Sequence, residues 1–358
     1  MDRIHALLRI LKKHKADSFF INSEANITYL TGFSGDSSRL LISQNSIVLI
    51  TDGRYTEQAE KECGKEIKIV KWVTDKRYSR ETYEPIFKEY GAHRLGFEGD
   101  KLSYSEFLEL QAAAGRDSCI SLSGITEELR LVKNEKEISF LKTACEISDK
   151  SLWDTLGSIK VGATEAEIAA VLEFNLRKNG SEGISFETLL LSGQRTSLLH
   201  GKPGQNRIQA GDFLLFDFGA LYKGYHADMS RTFVMGKPDE KKKIIYDIIF
   251  KAQQNALDCI KDGVEGKRAD DAVREMIPPE YLEYYYPGLG HGVGLEIHEN
   301  PFIKNSSQFT FREGMTVTIE PGVYIPGWGG LRIEDTLVVR KEGIDVLTKF
   351  PKELMVIE

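Results

Sequence analysis

The chain has 358 residues, 41% hydrophobic and 28% charged, with a formal net charge of −7. That length accommodates two domains, and the balance excludes a disordered or collagen-like polymer. No basic run extends beyond "EKKK" at 240–243, which argues against nucleic-acid and anionic-membrane partners and favours a small neutral or cationic ligand.

In chain order, residues 4–11 repeat apolar side chains at helical spacing within a charged N-terminus. No apolar run there or elsewhere approaches the ~18 residues of a membrane span, and no signal peptide is recognisable, so a cytoplasmic location is expected. "SIVLIT" (46–51) and "IKIVKWV" (67–73) read as strands, and "SYSEFLELQAAAG" (103–115) as a helix closed by Gly115. Residues 1–128 are therefore expected to form an α/β domain. Beyond it, Asn134 followed by Glu137 makes a capping box for a long helix, and Thr164 with Glu167 starts another that stops at Gly180. A third helix is expected over about 239–263 and a fourth up to Pro278, among long glycine-punctuated β segments. Residues 129–358 thus read as α+β, helices on a largely antiparallel sheet. Cys63, Cys119, Cys145 and Cys259 are far apart and form no CxxC pair, so they read as reduced, buried packing thiols.

The stretch "FDFGALYKGYHADMS" (216–230) reads as strand, tight turn and strand. With the turn centred on Tyr222 and Lys223, Asp217 and Asp228 fall opposite each other, Cβ atoms roughly 5 Å apart. Two bare carboxylates would repel there, and burial beside Leu214, Phe216 and Phe218 would penalise them further. A cation is required. Other ligand-type residues follow: His291 in "GLGHGVGLEIHENP", Glu320 at the end of the strand "TVTIEPG", and Glu334 within the strand "LRIEDTLVV". Each alone is weak, since a glycine-flanked histidine or a strand-end glutamate is often structural. Together two aspartates, two glutamates and a neutral histidine carry a formal charge that two divalent ions cancel, as in carboxylate-bridged hydrolytic centres.

The order Asp217, Asp228, His291, Glu320, Glu334, at intervals of 11, 63, 29 and 14 residues, with "HGVGLEIHE", "IEPGVYIPGWGGLRIED" and "DFGALYKGYHADMSRTF", resembles the M24B pita-bread metallopeptidases, the Xaa-Pro aminopeptidase and Xaa-Pro dipeptidase (prolidase) family. "NITYLTGFSG" and "TDGRYTEQA" resemble that family's creatinase-like N-terminal domain, so the resemblance covers essentially the whole chain. It implies a C-terminal pita-bread catalytic domain and a dinuclear site holding manganese, with cobalt or zinc as alternatives. It also implies hydrolysis of short peptides with proline in the second position, and a homodimer. Glu320 matches the family's general base and proton carrier, and Asp217 would also hold the substrate's amino group. His200 in "LLHGKPG" matches a substrate-binding residue, against the plain alternative of an idle loop histidine. His298 matches a residue of the proline subsite, although seven residues from His291 it has the wrong parity for a straight strand, so Gly292 and Gly294 must permit a bend. Arg332, two residues from Glu334 and hence on the same strand face, is expected to neutralise excess carboxylate or anchor substrate, against the alternative of a structural ion pair. Tyr324 is left as core aromatic or subsite wall. His226-Ala227 and Lys202-Pro203 depart from the family's usual residues; the first is expected to tune packing and the second bears on substrate preference. Competing readings are a metal-free binding module or creatine amidinohydrolase on the same fold, a methionine aminopeptidase or other non-proline aminopeptidase, and a dinuclear phosphatase.

Overall fold

The computed structural model describes residues 2–72 and 77–358. They fall into two compact units, one ending at Arg130 and one running from Leu131 to Glu358.

In the first unit, β1 (Ser18–Ile21), β2 (Arg39–Ser43), β3 (Ile47–Thr51), β4 (Ile67–Lys71), β5 (Leu95–Phe97) and β6 (Cys119–Ser121) form a mixed sheet of order β4-β3-β2-β1-β5-β6. The β1–β2 and β2–β3 pairs are antiparallel, and the other three are parallel. Every residue of β1, β2 and β3 is buried, as in a sheet covered on both faces. Interleaved with the strands are α1 (Asp2–Lys13), α2 (Glu24–Thr31), α3 (Thr56–Glu62), α4 (Arg80–Tyr90), α5 (Tyr104–Ala114) and α6 (Ile125–Arg130). α1 buries Ile4, Leu7 and Leu11, and α5 runs from a Ser103 cap to Gly115, as the sequence indicates. The strand expected over 67–73 is seen to Lys71, and its last residue, Val73, lies outside the described residues.

In the second unit, α7 (Glu135–Leu156) and α8 (Glu165–Lys178) start on the two capping boxes, each with both reciprocal hydrogen bonds. α9 (Glu240–Cys259) is capped by Asp239 and ends before Gly263, at Ile260, where the backbone turns extended. α10 (Lys267–Met276) and the short α11 (Pro279–Leu282) follow. The strands are β7 (Leu189–Ser192), β8 (Phe213–Phe218), β9 (Leu221–Tyr222), β10 (Tyr225–His226), β11 (Met229–Met235), β12 (Gly290–Gly292), β13 (Glu299–Ile303), β14 (Thr316–Ile319), β15 (Gly322–Ile325), β16 (Gly329–Arg332), β17 (Asp335–Arg340), β18 (Gly343–Val346) and β19 (Val356–Ile357). They build one sheet of order β19-β11-β8-β7, one of order β13-β12-β14-β17-β18, and the ribbons β9/β10 and β15/β16. Only the β11–β19 pairing among these is parallel.

Strand alternation places the site. Leu214, Phe216 and Phe218 of β8, with Met229 and Phe233 of β11, join a core with Leu152 of α7 and Leu172 and Leu176 of α8. Leu215 and Asp217 therefore face the other way, and Leu215 packs with Tyr324. Val317 and Ile319 of β14 and Leu337 and Val339 of β17 pack against Ile249 and Ala256 of α9 in a second core. Helices thus lie outside each sheet, leaving one face of β8 for chemistry.

The four cysteines carry no disulfide; Cys145 is buried, whereas Cys63, Cys119 and Cys259 are only half-buried rather than the buried packing thiols expected. Among the described residues no helix is long and apolar enough to cross a membrane.

Candidate metal centre

The hairpin closes two residues later in register than its sequence indicates. Asp217 pairs with Ser230, not Asp228, and Tyr222 pairs with Tyr225 across a Lys223–Gly224 turn. Both turn residues have positive φ, +51° and +74°, the requirement of a two-residue hairpin loop. Gly224 adopts that conformation at no steric cost and Tyr222 would not, which moves the turn centre one residue on. Asp228 then lies diagonal to Asp217 on the same face, still within reach across the ladder. Gly219, opposite Asp228, is required by close approach: a Cβ there would sit 1.8 Å from the Ala227 carbonyl oxygen.

His291 lies in the middle of β12, where the register with β13 shifts. Its Nδ1 is 3.0 Å from the Gly292 carbonyl oxygen, an acceptor, so Nδ1 carries the proton and Nε2 presents a lone pair. Nε2 lies 3.4 Å from Asp228 Oδ2 and 3.5 Å from Glu320 Oε1. Glu320 directly follows β14, with its amide donating to Leu289 and its Oε1 3.5 Å from Thr318 Oγ1. Glu334 is not inside a strand as expected: it occupies the break between β16 and β17, where the chain passes from the ribbon to the sheet. Its amide donates to the Ser230 carbonyl, and its Oε2 accepts from Ser230 Oγ at 2.6 Å. Donor atoms of Asp228, His291 and Glu334 all lie within 4.8 Å of one another.

Arg332 ends β16 and is buried. Nη2 donates to Asp217 Oδ2, Nε to Ser230 Oγ at 2.7 Å and Nη1 to the Tyr324 hydroxyl at 2.7 Å. All three guanidinium nitrogens are engaged inside the protein, so the arginine compensates carboxylate charge.

Burial pushes the carboxyls of Asp228 and Glu334 well above the ordinary range, reinforced first by Asp217 for Asp228 and by Asp228 for Glu334. Glu320 is raised as well, by burial against the opposing pull of His291 and Arg332. Four carboxylates with one arginine leave uncompensated negative charge, and Asp217 Oδ1 is buried with no hydrogen-bond partner. An oxygen-rich set with one imidazole and an orphaned carboxylate oxygen fits divalent cations of the manganese, cobalt and zinc kind.

These five residues line a cavity of about 380 Å³, together with Arg332, His200 and His298. The His291 and His298 rings meet edge to face, centroids 4.4 Å apart. The parity conflict is resolved because residues 293–298 form a bend rather than a strand. Gly292 and Gly294 permit it by close approach, since a Cβ on either would meet the Asn300 carbonyl oxygen at 2.2 Å or the Glu299 carboxylate at 2.6 Å. Burial, then the neighbouring His291, hold the His298 imidazole below its ordinary pKa. His200 lies on an exposed turn at the cavity wall. His226 is held by Ser185, whose hydroxyl and carbonyl oxygens lie 3.0 Å from its Nδ1. Lys202 pairs its exposed ammonium with Glu187, and neither residue lines the cavity.

One contributor is not singled out by sequence reasoning: Ser230 links Glu334 to Arg332, and its signal was parity with Asp228. Tyr324, left between core aromatic and subsite wall, lies on the cavity wall, bonded to Arg332, its phenol pushed up to about 12 by burial.

Residues 139–341 match the model of metallopeptidase family M24, and residues 3–132 match the creatinase/prolidase N-terminal domain. The chain is 40% identical to a solved Xaa-Pro dipeptidase from Bacillus anthracis, with a TM-score of 0.95 and 99% of each chain covered. It is 35% identical to a solved X-Pro aminopeptidase from Thermotoga maritima, TM-score 0.90, covering 98% of this chain and 100% of that one. It is also 36% identical over 355 residues to the Xaa-Pro dipeptidase of Pyrococcus furiosus, 99% of each. With a family match over more than half of its length and full-length relatives above 30% identity, the chain belongs to metallopeptidase family M24, with a creatinase/prolidase N-terminal domain and the pita-bread fold.

Proposed function

We propose that the chain is an Xaa-Pro metallo-exopeptidase, which hydrolyses the bond between an N-terminal residue and a following proline in short peptides. The observation that carries this reading is the convergence of Asp217, Asp228, His291, Glu320 and Glu334 on one cavity that also admits His200 and His298. These five are the proposed metal ligands, for two divalent cations, with manganese favoured because oxygen donors dominate. Held by these residues, a pair of divalent cations would supply Lewis acidity, lowering the pKa of a water and polarising the scissile carbonyl.

The protein's own groups supply the rest. Glu320, with a carboxyl raised by burial, takes a proton from the attacking water and delivers it to the departing nitrogen. Asp217, held by Arg332 through one oxygen, turns the other toward the free amino group of the substrate, which confines cleavage to the N-terminus. His298, kept neutral by burial, lies beside His291 and donates to the carbonyl oxygen as charge develops on it. His200 binds substrate at the cavity wall. An Xaa-Pro bond has no N–H, so the subsite needs no acceptor for one, and Phe186, Leu199 and Ile297 offer the ring an apolar wall. The functional chain is taken as residues 129–358, preceded by the domain over 1–128, and the assembly as a homodimer.

Product analysis on Xaa-Pro and Xaa-Pro-Yaa peptides, with defined metals, tests the reading. Release of the N-terminal residue from proline peptides, and from neither matched alanine peptides nor phosphate esters, is expected. Equal cleavage of alanine peptides would overturn the proline specificity.

A further inference from the structure

His200 is carried by a segment whose regular structure is limited to a short 3-10 helix over Gly193–Ser197, yet both ends of that segment meet on one buried carboxylate. Glu165 is the first residue of α8 and is fully buried. Its Oε1 accepts from the Ser192 amide at 2.8 Å and the Ser192 hydroxyl at 3.1 Å, at the point where β7 ends and the segment begins. Its Oε2 accepts from the Gly204 amide at 3.1 Å, where the segment returns. Arg195 Nε lies 3.2 and 3.1 Å from the two oxygens, and Asn206 Nδ2 lies 3.3 Å from Oε1.

The same helix end also grips the returning backbone. The Glu165 and Ala166 amides donate to the Asn206 and Gly204 carbonyls, both at 3.0 Å, which uses N–H groups that a helix leaves unsatisfied in its first turn. Arg195 extends the tie inward along the segment: its Nη2 donates to the Lys202 carbonyl at 2.7 Å. Between these anchors Leu198 to Gly201 closes as a turn, through the Gly201 amide and the Leu198 carbonyl, with His200 inside it. Gly201 packs so closely on Leu191 that a Cβ would sit 2.7 Å from its Cδ1. An anion at the start of a helix is favoured, and a buried carboxylate this fully satisfied is rigid.

We propose that Glu165, with Arg195 as its extension, is a positioning residue for the reaction, which staples the two ends of the 193–206 segment and so fixes His200 at the cavity wall. It touches neither substrate nor metal and acts through His200. The inference rests on the reading of His200 as a substrate-binding residue.

The test is a double-mutant cycle in the metal-loaded enzyme, with hydrogen exchange as the second readout. Glu165→Gln keeps the shape but turns an amide toward the Gly204 and Arg195 donors. Arg195→Met cuts the extension at a half-exposed position and carries the same cycle if Glu165→Gln fails to fold. Each is expected to quicken exchange across 193–206, leave metal content unchanged and lower kcat/KM by about tenfold, the scale of a sub-ångström to ångström misplacement. In a His200→Ala background the same changes are expected to cost less than about twofold, because the groups act as one unit. An equal loss in both backgrounds, or wild-type rates with a loosened segment, would overturn the proposal alone. A His200→Ala enzyme at the wild-type rate would overturn both the proposal and the reading of His200.

Discussion

The guanidinium of Arg332, at the end of β16, lies against the carboxylate of Asp217, near the end of β8, and its remaining nitrogens hold Ser230 and Tyr324. One cation thus fixes three side chains from three strands, while Asp217 Oδ1 is left buried without a hydrogen-bond partner. Arg332→Met removes the cation and leaves Asp217 unpaired beside Asp228. The metal-free variant should lose about 3 kcal/mol of unfolding free energy, the low end for breaking a buried pair, because Asp217 keeps some solvent contact. Arg332→Lys should not rescue it, since an ammonium cannot span three partners. Denaturant titration with chelator present decides, and a lysine variant as stable and active as wild type would contradict the assignment.

Metal and pH are linked through the buried carboxyls. Burial raises Asp228, Glu320 and Glu334, so the metal-free folded chain keeps protons that the unfolded chain releases. Its stability therefore falls as pH rises above the ordinary carboxylate range. A bound cation takes the place of those protons. The rise in melting temperature on adding Mn²⁺ should be larger at about pH 8 than at about pH 5. Chelation should abolish activity, and Mn²⁺ or Co²⁺ should restore it. A metal-induced shift of equal size at both pH values, or full activity without metal, would exclude the site.

Glu320→Gln keeps the shape of the side chain and removes its capacity to carry a proton. Turnover should drop by at least about a hundredfold. Metal analysis is run alongside, because near-normal turnover with both metals bound would assign proton transfer to another group.

His298→Ala should lower turnover on Ala-Pro and Met-Pro peptides by about tenfold or more, the lower part of the range for a single donor to a developing charge. Metal content and melting temperature should stay near wild type, since the exposed side chain belongs to neither core. A variant that simply unfolds would return His298 to a structural role.

Gly219→Ala forces a Cβ to within 1.8 Å of the Ala227 carbonyl oxygen, so the hairpin between Asp217 and Asp228 has to open. The cost should be about 1–3 kcal/mol, with loss of metal. Gly224→Ala strains only a left-handed turn residue, costs about 1 kcal/mol and leaves the metal in place. Metal titration of the two variants separates the effects, and retention of both cations by Gly219→Ala would show that the diagonal pairing is not needed.

Helix starts at Asn134 and Thr164 and the existence of the hairpin were legible along the chain, because each depends on neighbours a few residues away; the five proposed ligands, far apart in sequence, were picked out by residue type and by resemblance to a family pattern. Capping boxes and strand alternation are local, and clustered acidic residues in an apolar setting demand a cation wherever the strands end up. Tertiary structure decided what depends on distant partners. The two-residue register shift of Asp217 and Asp228 is the exception, a local matter of which turn residues take positive φ. His298 reached His291 through a bend set by Gly292 and Gly294 packing on residues 299 and 300. Glu334 fell in a strand break because the chain changes sheets there. Ser230 became a link only once β11 and the segment after β16 were side by side, and Glu165 became an anchor only once both ends of a loop met on one helix terminus. Periodicity in a single sequence carries the direction of a side chain from its own element, but not which element will face it.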